Sequence, residues 1–286
     1  MGPYLWMLCG AVAFASMASL AHALREHFAW PVIALARATV PLVLTGLLAA
    51  LGGVPLVWGR PLLWVRSLAG SVSLMCTFFA FTRLPISDVL TLTNLFPLWI
   101  ALLAWPVLGQ RPTASVWLAV AMGLAGVMLI QRPHLAAGNF AALAAVAASL
   151  ASSVAMLGLH RLHGIDARAI VFHFSAVSML FCFGLLVVVP DDGLSRPAID
   201  WTMAAALFGV GLSATLGQFC LTKAFILGPP AQVAVVGLSQ VAMGVIIDRL
   251  VWGRVFSPPT LAGIVLVLLP TAWLLLSKRA ASEVPS

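Results

Sequence analysis

Long apolar runs separated by short polar segments make up nearly the whole chain. Ten of these runs are about 20 residues long, the length that a helix needs to cross the hydrocarbon core of a bilayer. Inside lipid every backbone N–H and C=O group must be hydrogen-bonded, and these runs are too long for barrel strands. The pattern predicts an all-α membrane protein with about ten transmembrane helices, at 3–23, 30–51, 62–82, 89–107, 114–130, 136–159, 169–189, 201–225, 231–251 and 258–277.

The segments between these runs are short and contain Pro, Gly or charged residues, so no soluble domain is expected between helices. The first run ends in Ala21-His22-Ala23, which has the small-x-small pattern of a signal-peptidase site. No Lys or Arg precedes Arg25, although a basic segment is part of such a signal. We expect the first run to be retained as a transmembrane span.

An internal repeat emerges when the chain is compared with itself at a shift of 144 positions. At this shift Ala80-Phe81 aligns with Ala224-Phe225 and Gly109 aligns with Gly253, with the fourth and ninth runs in register between them. The repeat predicts two five-helix halves, 1–134 and 135–279, followed by a polar tail, 280–286. Because five is an odd number, the second half must insert with the opposite orientation. Inverted repeats of this kind are typical of secondary transporters with a midplane site.

Composition supports the membrane assignment and excludes several other classes of protein. Hydrophobic residues make up 62% of the chain and charged residues 8%, whereas soluble domains carry about 25% charged residues. The net charge is +7, but Lys and Arg are scattered singly, so no nucleic-acid partner is expected. The four cysteines lie in apolar runs without C-x-x-C spacing and are predicted to be buried free thiols. We expect neither a metal site nor a cofactor.

Several motifs resemble those of a known family. They are Arg37 within ALARA at 34–38, Arg66 within RSLAG at 66–70, FAFTRLP at 79–85, and NLFPLW at 94–99. With ten spans in two halves, the sequence resembles the drug/metabolite transporter superfamily, specifically its EamA-type members. The family usually has an acidic residue where Gln110 stands. The segment GQFCLTKA at 217–224 is similar to a branch shared with animal carriers related to nucleotide-sugar transporters, some of which handle organic anions.

The resemblance implies alternating-access transport of a small molecule across the inner (plasma) membrane, with both termini cytoplasmic. The chain's own Lys and Arg residues divide equally between the two faces, so the positive-inside rule selects no orientation. The expected partners are a small-molecule substrate and the lipid bilayer, and a homodimer is left open.

Charged residues inside the predicted spans are the first candidates for a site, because each costs about 2.5–3.5 kcal/mol at the bilayer centre. Arg37 lies seven residues into the second span and either binds an anion in a central cavity or pairs with a helix terminus. Arg66 and Lys223 lie about one turn from span ends, where they either extend to the headgroups or turn inward. Three inward cations would favour an anionic substrate. By the inverted repeat, His173 of the seventh span lies in nearly the same place as Arg37, and it is interpreted as a neutral core histidine rather than a proton carrier.

Uncharged polar residues within the spans form a second set of candidates. They either hydrogen-bond a ligand or join helices to one another, and the pattern does not separate these roles. Trp99 joins them because most other tryptophans lie near span ends, in the expected interfacial belt. The set comprises Asn94, Trp99, Gln218, Thr222 and Gln240.

These features favour a secondary transporter of a small metabolite, with an organic anion as the preferred substrate. No phosphate-binding Gly-x-x-x-x-Gly-Lys motif is present, so energy would come from an exchange partner, an ion gradient or downhill flow. The alternatives are an exporter of amino acids or other neutral or aromatic metabolites, and a lipid flippase. A membrane enzyme is not expected, because no nucleophile-base pair, carboxylate pair or metal cluster is recognisable.

Overall fold

The computed structural model describes residues 2–24, 27–81, 83–84, 86–131, 140–188, 200–253 and 257–282, and all regular structure in these ranges is helical. There are twelve helices in the described ranges: α1 (Pro3–Leu24), α2 (Trp30–Leu51), α3 (Pro61–Phe81), α4 (Ile86–Thr93), α5 (Phe96–Leu108), α6 (Ala114–Gln131), α7 (Phe140–His160), α8 (Ala167–Val188), α9 (Trp201–Leu227), α10 (Pro230–Gly237), α11 (Ser239–Trp252) and α12 (Pro258–Ser282).

The twelve helices form ten candidate membrane spans, because α4 with α5 and α10 with α11 each make one interrupted span. The prediction of an all-α membrane protein with ten spans is confirmed. The predicted boundary between the halves, at 134 and 135, and the first residues of the predicted sixth span lie outside the described residues. Asp166 and Asp200 come directly before α8 and α9, and each carboxylate accepts a backbone N–H of its helix.

The two interruptions occur at equivalent places in the repeat. The first lies at Asn94, three residues before Pro97, whose missing N–H removes one intrahelical hydrogen bond. The second lies at Leu238, which is 144 positions after Asn94 and has no proline beside it. Tighter i→i+3 bonds flank both breaks, from Leu95 N to Leu92 O at 3.2 Å and from Val241 N to Leu238 O at 3.0 Å. In many transporters, interrupted helices at matching positions of the two repeats form the binding site near the bilayer midplane.

Helix packing follows the two-fold relation between the halves. Helix α1 packs on α9 and, in the equivalent pairing, α3 packs on α7. The helix pairs α2–α8 and α6–α12 each join equivalent helices across the axis. Gly126 of α6 allows a close crossing, since a Cβ there would stand 2.7 Å from the Gly263 carbonyl oxygen of α12. The absence of a side chain at Gly126 thus lets the two helices pack closely.

The largest apolar cluster closes one end of the bundle. Its members lie near the helix ends on the side of the N-terminus, which we call the N-terminal face; they include Tyr4, Met7, Leu63, Ile100, Leu159, Phe225, Val236 and Leu274. All four cysteines are free as predicted. Cys182 and Cys220 are buried, but Cys9 is exposed on the outer surface of the bundle, so its predicted burial is wrong. Lipid-facing helix surfaces are apolar, so a cysteine thiol can lie there as readily as in the interior of the bundle.

Candidate functional site

A cavity of about 870 Å³ lies between the two halves. Its lining reaches helix ends that all lie on the face opposite the N-terminus: His22 of α1, Trp30 of α2, Phe78 of α3, Gln131 of α6 and Thr260 of α12. At its deep end the lining includes Met7 and Phe225. Both belong to the apolar cluster that closes the N-terminal face, which we call the closing cluster. The bundle is therefore open on one face and closed on the other.

Arg37 projects from α2 into this cavity. It lies seven residues from the open end of the helix, about 10 Å along the axis at 1.5 Å per residue. Its side chain is half-buried, and no hydrogen bond or ion pair joins the guanidinium to another described residue. The alternative of a structural partner for a helix terminus has no support in these contacts.

Arg66 lies on the cavity floor and is 2% exposed. Its Nη2 donates to Gln218 Oε1 at 3.0 Å, and its Cζ lies 4.0 Å from the centre of the Phe174 ring. The Nε atom is buried without an acceptor. Gly70, one turn along α3, makes room, since a Cβ there would lie 2.6 Å from Arg66 Nη1. The extension of Arg66 to the headgroups, one of the two sequence-based alternatives, is wrong because the side chain turns inward.

Asn94 and Gln240 meet where the two interrupted spans cross. Gln240 Nε2 donates to Asn94 Oδ1 at 3.4 Å, and Asn94 Nδ2 donates to Leu90 O at 2.7 Å. Both residues line the cavity together with Gln218. These amides thus join helices and face the cavity at once.

A row of hydroxyls along α3 completes the polar side of the cavity, and the sequence analysis did not single it out. Ser73 and Thr77 line the cavity, and Ser73 Oγ lies 2.7 Å from Ser152 Oγ of α7. With Arg66 and Gly70 they follow a spacing of four, three and four residues, which is one face of a helix. This spacing is visible in the sequence and could have identified the row of hydroxyls. Helices α1 and α11 contribute mainly apolar side chains, namely Phe14, Met17 and Ala18 of α1 with Val241 and Val245 of α11, beside the polar Ser19, His22 and Gln240.

Four of the predicted site residues are absent from the cavity lining. His173 is 1% exposed, lies 2.8 Å from Ser67 Oγ through Nδ1, and packs between Trp58 and Trp64, as expected of a core histidine. Trp99 Nε1 donates to Ser149 Oγ at 2.8 Å. Thr222 is fully buried, and Lys223 is half-buried with Nζ 5.8 Å from the Phe219 ring. Predicted contact of these four with a cavity ligand is not supported by their positions.

Polar contacts join the helix ends at the N-terminal face. The Tyr4 hydroxyl donates to Gln232 Oε1 across the two halves, and His160 Nδ1 lies 3.0 Å from Phe225 O. Asp166 binds the Arg168 guanidinium at 3.0 Å, and these hydrogen bonds lower the pKa of the Asp166 carboxyl. Arg168 also donates to Leu48 O at the end of α2. The closed face is held by hydrogen bonds as well as by apolar packing.

Comparison with known families agrees with this two-fold architecture. The model of the EamA-like transporter family matches the chain twice, over residues 1–132 and 138–276. The chain belongs to the EamA-like transporter family. The resemblance recognised from the sequence is therefore confirmed, and this EamA-family chain is an integral membrane protein with two inverted five-helix repeats.

Individual relatives of this EamA-family chain are also transporters. The pseudopaline exporter CntI of Pseudomonas aeruginosa (strain UCBPP-PA14) is 27% identical over 238 residues, which cover 81% of each chain. An uncharacterized transporter of Helicobacter pylori (strain J99) is 24% identical over 196 residues, 67% of this chain and 62% of that protein. A crystal structure covering 93% of this chain and 96% of its own has a TM-score of 0.77 at 18% identity, which shows a shared fold. The family and its named relatives are thus transporters.

Proposed function

We propose that this EamA-family transporter is a secondary transporter that exports a small organic anion by alternating access. The observation that carries the proposal is the pair of arginines in the cavity. Arg37 and Arg66 both line it, and no Asp or Glu of the described residues does. A guanidinium inside the bilayer is costly without a partner. A bound anion would supply that partner. The two guanidinium groups would therefore attract an anionic substrate and repel a cationic one.

The lining of the cavity supports an anion with an apolar body. Both arginines and several hydroxyls line it from α2, α3 and α7, whereas α1 and α11 present mainly apolar side chains, among them Phe14, Met17 and Val241. A substrate could place its charged group on the polar side and its carbon skeleton against the apolar side. This arrangement also accommodates the aromatic metabolites considered above, provided that they carry an anionic group.

Alternating access is supported by the asymmetry between the two faces. The cavity reaches the face opposite the N-terminus, and the closing cluster blocks the other. Exchange of conformations between two inverted halves would open the N-terminal face instead. We further propose that both termini are cytoplasmic and that the membrane is the inner one, so that the cavity described here faces outward. Export is favoured by the relatives that are named exporters.

The test is counterflow into proteoliposomes with labelled benzoate, citrate, glutamate, tryptophan and uridine. The proposal expects saturable counterflow of at least one carboxylate, which Arg37→Ala reduces at least tenfold. Arg111→Ala is the matched control, because Arg111 is exposed and stacks on Trp105 outside the cavity. Transport of neutral solutes alone, or equal loss in both variants, would contradict the anionic substrate.

A further inference from the structure

Arg66 presents an incomplete binding edge on the cavity floor. The Nε–H and Nη2–H groups lie on one edge of the guanidinium plane, where they bind the two oxygens of a carboxylate side by side. In this structure Gln218 Oε1 accepts from Nη2 at 3.0 Å, while Nε is buried and has no acceptor. An amide has one oxygen, so it can satisfy only one of the two groups well.

The surroundings hold this edge in place. The guanidinium is stacked on Phe174 at 4.0 Å, and the missing side chain at Gly70 leaves space for both groups. A buried N–H without an acceptor costs free energy, because its hydration is lost and not replaced. A second oxygen atom that accepted a hydrogen bond from Nε would remove this cost.

From this geometry we propose that the Nε/Nη2 edge of Arg66 is the carboxylate-binding site of the cavity, and that Gln218 occupies it when substrate is absent. The inference rests on the proposed transport of an organic anion and names the group recognised. A substrate carboxylate displaces the Gln218 oxygen and accepts from both Nε and Nη2. Gln218 is then a competitor of the substrate rather than one of its ligands.

Displacement of Gln218 also has a structural consequence. Arg66 belongs to α3 in the first half and Gln218 to α9 in the second, so their hydrogen bond joins the halves at the cavity floor. Carboxylate binding removes this link next to the closing cluster. Binding of substrate and loosening of the closed face thereby become coupled through one side chain.

Two substitutions at Gln218 give opposite expectations. Gln218→Glu supplies a second oxygen from the protein itself, so it should fill the edge, raise the melting temperature, and weaken binding of benzoate or citrate at least tenfold. Gln218→Ala removes the competitor, so it should lower the melting temperature and tighten binding about three- to fivefold, the equivalent of one hydrogen bond. Thr113→Glu, an exposed substitution between α5 and α6 and outside the cavity, is the control for added charge.

The measurement is equilibrium binding of labelled benzoate, citrate and inorganic phosphate to protein purified in phospholipid-free detergent, with benzamide as a neutral competitor. Binding of phosphate but of neither carboxylate would assign the edge to phosphate groups, including lipid headgroups, and overturn the carboxylate assignment. If Gln218→Glu and Gln218→Ala change affinity in the same direction, Gln218 is a substrate ligand or a structural residue and the inference fails. If the wild-type protein binds none of the three anions, the proposed anionic substrate fails as well, and the two failures are thus distinguished.

Discussion

The hydrogen bond between Tyr4 and Gln232 offers a direct test of the closed N-terminal face. It joins α1 in the first half to α10 in the second, and Tyr4 is part of the closing cluster. Tyr4→Phe removes the hydroxyl and keeps the ring, so apolar packing is retained. Hydrogen bonds between membrane helices contribute about 0.6 kcal/mol on average, and those in proteins generally about 1 kcal/mol. Their loss should favour the conformation open at this face by about three- to fivefold.

The assay is alkylation of Val233→Cys by a membrane-impermeant maleimide, in a variant whose native cysteines are replaced. Val233 is fully buried beside Gln232, so its labelling rate reports the fraction of molecules open at the N-terminal face. Tyr4→Phe should raise this rate about three- to fivefold. A cysteine at Gly59, which is exposed on the same face, should label equally in both backgrounds.

A double-mutant cycle identifies the contact responsible. Gln232→Leu should raise the labelling rate by a similar factor. The labelling rate of the double variant should be close to that of either single variant, because both substitutions remove the same hydrogen bond. An unchanged rate in Tyr4→Phe would refute the conclusion that this bond holds the face closed. Multiplying effects in the double variant would show that the two residues act separately.

Three further predictions concern packing, pH and the site. Gly126→Ala should lower the melting temperature by an overpacking cost of about 1–3 kcal/mol, whereas Gly184→Ala, where a Cβ meets nothing within 4 Å, should not; equal effects would contradict the close crossing. Because the folded-state pKa of Asp166 is lowered, its stabilising effect exists above the unfolded value of about 3.9 and is lost as pH falls through the folded one. Asp166→Asn should therefore lower the melting temperature at pH 7 and change it less below about pH 4, measured by thermal scans. Lys223→Gln should change the rate of carboxylate counterflow by no more than about twofold, because Lys223 is absent from the cavity lining. A tenfold loss would show that Lys223 contributes to the substrate site.

The sequence alone was informative about Arg37 and less so about the other charged candidates. Arg37 lies far from both ends of an apolar run, so the cost of burying its charge already indicated a cavity or a partner. Arg66 and Lys223 lie equally near span ends, yet one forms the cavity floor and the other is outside the lining. Helix length and hydropathy do not fix the rotation of a helix about its axis, and that rotation separates these two residues.

The interruptions of the fourth and ninth spans show a similar division. Pro97 marks the first in the sequence, but no proline marks the second, which only its position in the repeat connects to Asn94. The contact between Asn94 and Gln240 depends on how the two spans cross. Polar residues at the crossing were recognisable as candidates, whereas their pairing was not.

The class of protein, the ten spans and the two-fold repeat were determined by the sequence itself, because the bilayer imposes length and polarity on each span independently of its neighbours. Packing between the halves decided the rest: which face is open, which polar groups share the cavity, and which oxygen Arg66 binds. These features depend on side chains far apart in the sequence, such as Arg66 and Gln218, whose meeting is set by helix rotation and close packing. Local pattern contains no information about those two quantities.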